Sequence, residues 1–274
     1  MSDLLAVKDL GSIGVICPHL DDAALSCGQL LSMRPGAHVI TVFSGGPRPV
    51  KHLSPWDKAC GFSVGDDVMG IRACEDDEAM RIVDAQAHRL DFWDVQYRTR
   101  SGVRLAGLLP SSLRGKLSAV SRKFIHVGAS AEVVDKLVEL IGEHDVDTWV
   151  IPLGVGHPDH RSTARACVEV ATYMRWRRWV VYEDQPYRVT HPGELQAAKE
   201  QLQCLGFRIK MIPLTCPGPA SLSSVSRTRK LAMVSCYRSQ VRGLGANVEI
   251  ALRSEEIFYL LEQENALSRV GGRT

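Results

Sequence analysis

With 274 residues, 45% hydrophobic and 23% charged, the chain carries enough apolar material for one large core or two small ones. The formal net charge of +2, from 33 Lys+Arg scattered against 31 Asp+Glu, excludes the broad basic stripe of a nucleic-acid binder. Apolar runs stay short of the roughly 20 residues that span a bilayer, the first residues lack a signal peptide's basic and apolar regions, and the eight cysteines form no CxxC pair, so a soluble, cytoplasmic protein with reduced thiols is expected.

In chain order, "SIGVICP" (12–18) reads as a short buried strand. "DDAALSCGQLLSM" (21–33) reads as a helix opening on two acids, which suits the positive end of its dipole. "AHVITVFSGG" (37–46) is a second strand, "DDVMGIRACEDDEAMRIVDA" (66–85) an amphipathic helix, and "HRLDF" (88–92) a third strand. The segment 93–130, rich in Ser, Arg and Gly, is irregular and reads as an insertion, a lid or a loop. Helix returns at 131–144, followed by the strand "DTWVIPLGVG" (147–156), a helix over 159–173 and the strand "RWVVYED" (178–184). Between the last two, "MRWRRW" (174–179) reads either as a basic patch or as a helix running into a strand. A helix near 193–203, the strand "FRIKMIPL" (207–214) and closing helices over 224–241 and 254–263 complete the pattern. Strands separated by helices predict an α/β fold: one Rossmann-like domain over 1–274, with a mostly parallel sheet covered by helices on both faces.

Ligands of such sheets collect at the carboxyl ends of the strands. Two polar clusters fall there: "PHLDD" (18–22) after the first strand, and "GHPDHR" (156–161) after the strand at 147–156. Adjacent Asp21 and Asp22 repel each other unless a positive charge lies close. Together with His19, His157, Asp159 and His160 they offer two histidines and a carboxylate around an open position, a set used by catalytic zinc and by non-haem iron. One aspartate would then bind the metal while the other stays free as a base. Taken singly, each cluster also reads as a helix cap and a turn, with Asp159 capping the following helix. Finding both at strand ends favours the site.

The same residues resemble the PIG-L/LmbE-like deacetylases. "PHLDD" ahead of an apolar helix and the later "HPDH" carry the resemblance, supported by "VITVFSGG", "RACEDDEAM", "YEDQPY" and "KLAMVSCYRSQ", over roughly residues 12–241. The family's usual His-Pro-Asp-Asp-Glu is here His-Leu-Asp-Asp-Ala, so Leu20 and Ala23 depart from it without removing a ligand or the base. The resemblance implies a metal-dependent hydrolase, zinc or alternatively ferrous iron, that removes an N-acetyl group from an amino-sugar-containing small molecule such as a sugar, a thiol precursor or an antibiotic intermediate. It implies metal ligation by His19, Asp22 and His160, with Asp21 as general base toward the water on the metal. His157 would stabilise the oxyanion or protonate the leaving amine, and Asp159 would orient His157 through a ring nitrogen.

Arg72 and Asp94 fit positions where the family holds substrate hydroxyls, although Arg72 also reads as a solvated helix residue paired with Glu75 or Asp76. Tyr97 and Arg98 follow Asp94 and read either as pocket residues or as part of a surface loop. Trp56, in "SPWDKACGF" (54–62), is either a stacking surface for a sugar ring or a loop anchor. His38, His52, His88, His126, His144 and His191 show no partner spacing and read as structural or exposed. The rival functions are an amidase of a sugar–thiol conjugate, a non-catalytic sugar-binding relative and a nucleotide-binding α/β protein. The last lacks a glycine-rich turn after its first strand, where the two acids would repel a pyrophosphate.

Overall fold

Strands β1 (Ile13–Cys17) and β4 (Thr148–Pro152) are buried along their whole length, and β5 (Arg178–Tyr182) is buried after its first residue. Only a sheet covered on both faces accommodates such runs. The computed structural model describes residues 7–98, 131–213 and 220–263. Its seven-stranded sheet also contains β2 (His38–Thr41), β3 (Gln86–Arg89), β6 (Phe207–Ile212) and β7 (Phe258–Gln263). The spatial order is β3-β2-β1-β4-β5-β7-β6, parallel from β3 to β5, with β7 antiparallel to both of its neighbours.

Side chains of β1 alternate between two cores. Ile13, Val15 and Cys17 pack with α1 (Asp22–Ser32), α3 (Val68–Ile82) and α8 (Ala220–Cys236). Ile16 points the other way, towards α4 (Ala131–Glu143), α5 (Pro158–Tyr173) and Leu202 of α7 (Pro192–Cys204). The expected doubly covered α/β sheet is present. Two short helices, α2 (Pro55–Cys60) and α6 (Tyr187–Thr190), lie in the loops after β2 and β5. The segment 174–179 is the turn from α5 into β5, the second of its two sequence readings. The insertion or lid expected at 93–130 lies, from residue 99 on, outside the described residues.

Three expectations are corrected. "HRLDF" is displaced: β3 ends at Arg89, Asp91 takes a left-handed φ of 57°, and parallel pairing resumes in the Gly45–Trp93 bridge. The helix expected over 224–241 breaks at Tyr237, giving α8, α9 (Arg238–Leu244) and a further helix, α10 (Ala246–Arg253). The break has a cause: Glu75 takes the Ser239 N–H at 2.9 Å, and the Tyr237 hydroxyl donates to buried Asp76 at 2.7 Å. The helix expected over 254–263 is instead the strand β7. A short apolar run such as "IFYLL" suits either state, and here it fills the gap between β5 and β6, satisfying backbone groups on both edges.

Candidate active site

The carboxyl ends of β1, β4 and β5 and the Gly45–Trp93 bridge place their following residues around one cleft of about 170 Å³. Asp21 is the N-cap residue of α1 but makes no side-chain cap bond, so its carboxylate is left for the cleft. Asp22 turns inward. Its Oδ2 accepts the His19 backbone N–H at 2.8 Å and lies 3.1 Å from both His19 Nδ1 and His160 Nε2. His157 caps α5, with Nδ1 accepting the Asp159 N–H at 3.2 Å, and Pro158 occupies the first helical position, where no N–H is needed. The cap foreseen for Asp159 is therefore supplied by His157.

Gly154 makes this approach feasible. Its φ of +90° suits glycine, and a Cβ there would lie 2.6 Å from the Ala164 Cβ. The N–H groups of Gly154 and Val155 donate to Asp184 Oδ2 at 2.8 and 3.2 Å, and Asp184 Oδ1 lies 2.7 Å from His160 Nδ1. Asp184, fully buried, was missed by sequence reasoning. The available signal was its position two residues beyond β5, on the same rim.

Charge is concentrated and out of water. Burial opposes ionisation of Asp22, but His160 and His19 outweigh it and hold that carboxyl far below the usual range. Burial disfavours the His160 cation, yet Asp22 and Asp184 together push it up to about 9. Burial and the neighbouring Asp22 raise Asp21, with Arg72 and His19 opposing. Burial, then His19 and His160, drive His157 down to about 3, so its ring is neutral.

Arg72 answers the repulsion between the adjacent aspartates on the Asp21 side. It is buried, with Nη2 3.6 Å from Asp21 Oδ1 and Nη1 3.6 Å from Asp94 Oδ2. The alternative of a solvated Arg72 paired to Glu75 or Asp76 is not realised. Glu75 binds Ser239, and Asp76 binds Arg89 and Tyr237. Among the described residues Arg72 Nε and Nη1 and Gln185 Oε1 are buried without a hydrogen-bond partner, and both side chains line the cleft.

Asp94 and Trp56 line the same cleft, the indole N–H donating to Gln240 at 3.0 Å. Tyr97 and Arg98 do not. Tyr97 is buried in the core with its hydroxyl on Asp57 at 2.8 Å. Arg98 lies over the Phe43 ring, 4.7 Å from its centroid, and bonds the Asp159 carboxylate. That carboxylate also takes the Val95 N–H at 2.9 Å and lies 3.2 Å from His19 Nε2. Asp159 thus meets a His157 ring nitrogen through its backbone N–H, while its carboxylate faces His19.

The donor set fits a divalent metal. His160 Nδ1 faces Asp184, an acceptor, so in a neutral ring Nε2 presents a lone pair to the Asp22 oxygen 3.1 Å away. Two lone pairs at that distance need a cation between or beside them, either a proton or a metal. A carboxylate behind the remote ring nitrogen is also the usual support for a metal-bound histidine. Ligand atoms of His19, His157 and His160 all lie within 4.8 Å of one another.

The chain matches the family model PIG-L, described as GlcNAc-PI de-N-acetylase, over residues 14–171. Among solved structures it is similar to the A40926 pseudoaglycone deacetylase Dbv21, at 21% identity and TM-score 0.66, covering 94% of this chain and 100% of that one. It is also similar to a deacetylase of the teicoplanin biosynthesis pathway in complex with bog, at 24% identity and TM-score 0.68, covering 93% and 99%. The conserved protein TT1542 from Thermus thermophilus aligns at 18% identity and TM-score 0.50, covering 88% and 84%. At these identities the likeness establishes a shared fold. No curated protein matches the chain by sequence. No helix among the described residues is long and apolar enough to cross a membrane.

Proposed function

The chain belongs to the PIG-L, GlcNAc-PI de-N-acetylase, family, and from that premise we propose that it is a metal-dependent N-deacetylase of an amino-sugar-bearing small molecule. The observation that carries this reading is the convergence of His19, Asp22 and His160 beside Asp21, a carboxylate that its helix leaves unused. Names of the similar structures, deacetylases of the teicoplanin and A40926 pathways, support a glycosylated antibiotic intermediate as the substrate class.

His19, Asp22 and His160 would hold zinc or ferrous iron, both of which accept this donor set. When bound, such a cation supplies Lewis acidity, lowering the pKa of a water molecule and polarising an amide carbonyl. Asp21 takes a proton from the attacking water as its oxygen bonds to the acetyl carbon. Burial beside Asp22 raises Asp21 in the direction a general base at neutral pH requires. Because His157 Nδ1 is occupied by the Asp159 N–H, the ring proton sits on Nε2. His157 therefore acts as a neutral donor to the developing oxyanion. The C–N bond then breaks, the proton held by Asp21 passes to the departing amine, and acetate is released. Arg72, Asp94 and Gln185 offer polar atoms for sugar hydroxyls, and Trp56 an apolar wall for a ring face.

Metal content and acetate release, measured on wild type, Asp22→Ala and Asp21→Asn with N-acetylated amino sugars and their glycosides, test the proposal. Asp22→Ala is expected to lose the active-site metal. Asp21→Asn is expected to keep it and lose about 10²–10⁴-fold in kcat. Release of a bulkier acid in place of acetate would identify an amidase. A wild type that binds no metal at this site and releases no acid after zinc or iron(II) is added would overturn the reading.

A further inference from the structure

Three histidines with no sequence spacing in common meet at the rim opposite the cleft. His38 opens β2 and His88 lies in β3, in register with Ile40 two residues further along, so both side chains leave one face of the sheet. His144 follows α4, its carbonyl fixed by the Val146 N–H at 3.0 Å and by Arg177. Read from sequence as structural or exposed, they are partly buried and pack against one another. Ring centroids are 5.2 Å apart for His38–His88, 4.2 Å for His38–His144 and 4.7 Å for His88–His144. His38 Nδ1 and His88 Nε2 lie 3.0 Å apart, and one ligand nitrogen from each ring falls within 4.8 Å of the others.

We propose that His38, His88 and His144 form a second transition-metal site, taking Zn²⁺ or another borderline cation through three imidazole nitrogens. Zinc–nitrogen bonds of about 2.0–2.1 Å place tetrahedral ligands roughly 3.3 Å from one another, a spacing that small rotations of these half-buried rings reach. His144 Nε2 is buried and has no hydrogen-bond partner among the described residues, so one donor already lacks an alternative use. The set contains no carboxylate or thiolate, which favours Zn²⁺, Ni²⁺ or Cu²⁺ over Mg²⁺ or Ca²⁺. The rings are only partly covered, so water can complete the coordination. No residue is shared with the cleft, and a metal here is independent of the proposed reaction.

Calorimetric titration of the metal-stripped protein with Zn²⁺ separates the two sites. Wild type is expected to take up two equivalents. His88→Gln and His144→Ala should each lose one, or bind it at least tenfold more weakly, while keeping the wild-type rate of acetate release. Asp22→Ala should retain the histidine-cluster equivalent. With Cu²⁺ as probe, electron paramagnetic resonance of Asp22→Ala should show nitrogen hyperfine lines that disappear in Asp22→Ala/His88→Gln. Melting curves without metal check that the variants are folded, and the two substitutions guard against a local collapse caused by either. Zinc uptake by both histidine variants equal to wild type overturns the site, as does complete loss of uptake in folded Asp22→Ala. A single equivalent that survives Asp22→Ala and vanishes in His88→Gln supports the cluster and instead overturns metal binding in the cleft.

Discussion

Asp184 acts on His160 through one 2.7 Å contact while two backbone N–H groups hold its other oxygen. In Asp184→Asn the amide cannot accept from both His160 and those N–H groups, so the ring loses its fixed orientation and its counter-charge. Chelator competition is expected to show zinc held about 10–100-fold less tightly at the cleft, and unchanged retention would remove Asp184 from the site. His19, Asp21, Asp22, His157 and His160 were legible because both of their motifs end buried strands of a parallel sheet. Asp184 was not, because its role depends on the register of β4 with β5, which pairs Pro152 with Tyr182 and so sets the two following loops side by side. Tyr97 and Arg98 were misjudged for a local reason. The turn after Asp94, closed by the Tyr97 N–H on the Asp94 carbonyl at 2.9 Å, directs Tyr97 inward to Asp57 and Arg98 back to Asp159.

At the scale of elements, β5, β7 and α7 are joined by the buried carboxylate of Glu183. It lies 2.7 Å from Lys199 Nζ, 2.7 Å from Arg188 Nε and 2.7 Å from the Tyr259 hydroxyl. Burial works to raise its pKa, but Lys199, Tyr259 and Arg188 outweigh burial and hold the carboxyl below its ordinary value. A depressed carboxyl contributes stability that is present above its unfolded pKa, near 4.3, and lost as pH falls through its folded pKa. Glu183→Gln should therefore cost about 2 kcal/mol at pH 7, because partners reaching water soften the loss of a buried charge. In urea melts at pH 7, 5 and 3, the gap to wild type should hold from pH 7 to 5 and shrink by pH 3. A constant gap would mean that the charge contributes nothing. The longer strands and helices from β1 to β6 were legible from periodicity, whereas β3 was displaced and the short helices α2 and α6 were not read. The segment 254–263 was not, since "IFYLL" acquires its strand state from the two free edges it fills.

Across the whole molecule, β7 is fastened to α8 by a buried ion pair, and to α1 by the same carboxylate, joining distant parts of the chain. Glu256, just ahead of β7, lies 2.9 Å from Lys230 Nζ of α8 and accepts the N–H groups of Gln29 and Leu30 in α1 at 2.8 and 3.1 Å. Gly28 makes room for the lysine stem: a Cβ there would meet Lys230 Cγ at 2.8 Å. A glycine inside a helix costs roughly 1 kcal/mol relative to alanine, a cost consistent with the need for this passage. Lys230→Met leaves Glu256 buried without its counter-charge and should destabilise the protein by about 3 kcal/mol. Glu256→Gln in the same background removes the stranded charge, so a double-mutant cycle should give a coupling of about 1–3 kcal/mol. Coupling below about 0.5 kcal/mol would leave the fastening of β7 to the strand ladder and the two α1 N–H groups. If the coupling is found, metal occupancy in the Lys230→Met variant tells how far it reaches. The loop carrying Asp184 rests on Ser26 of α1 through the Gln185 N–H at 3.0 Å, so loosening α1 against α8 should also weaken the metal binding proposed at His160.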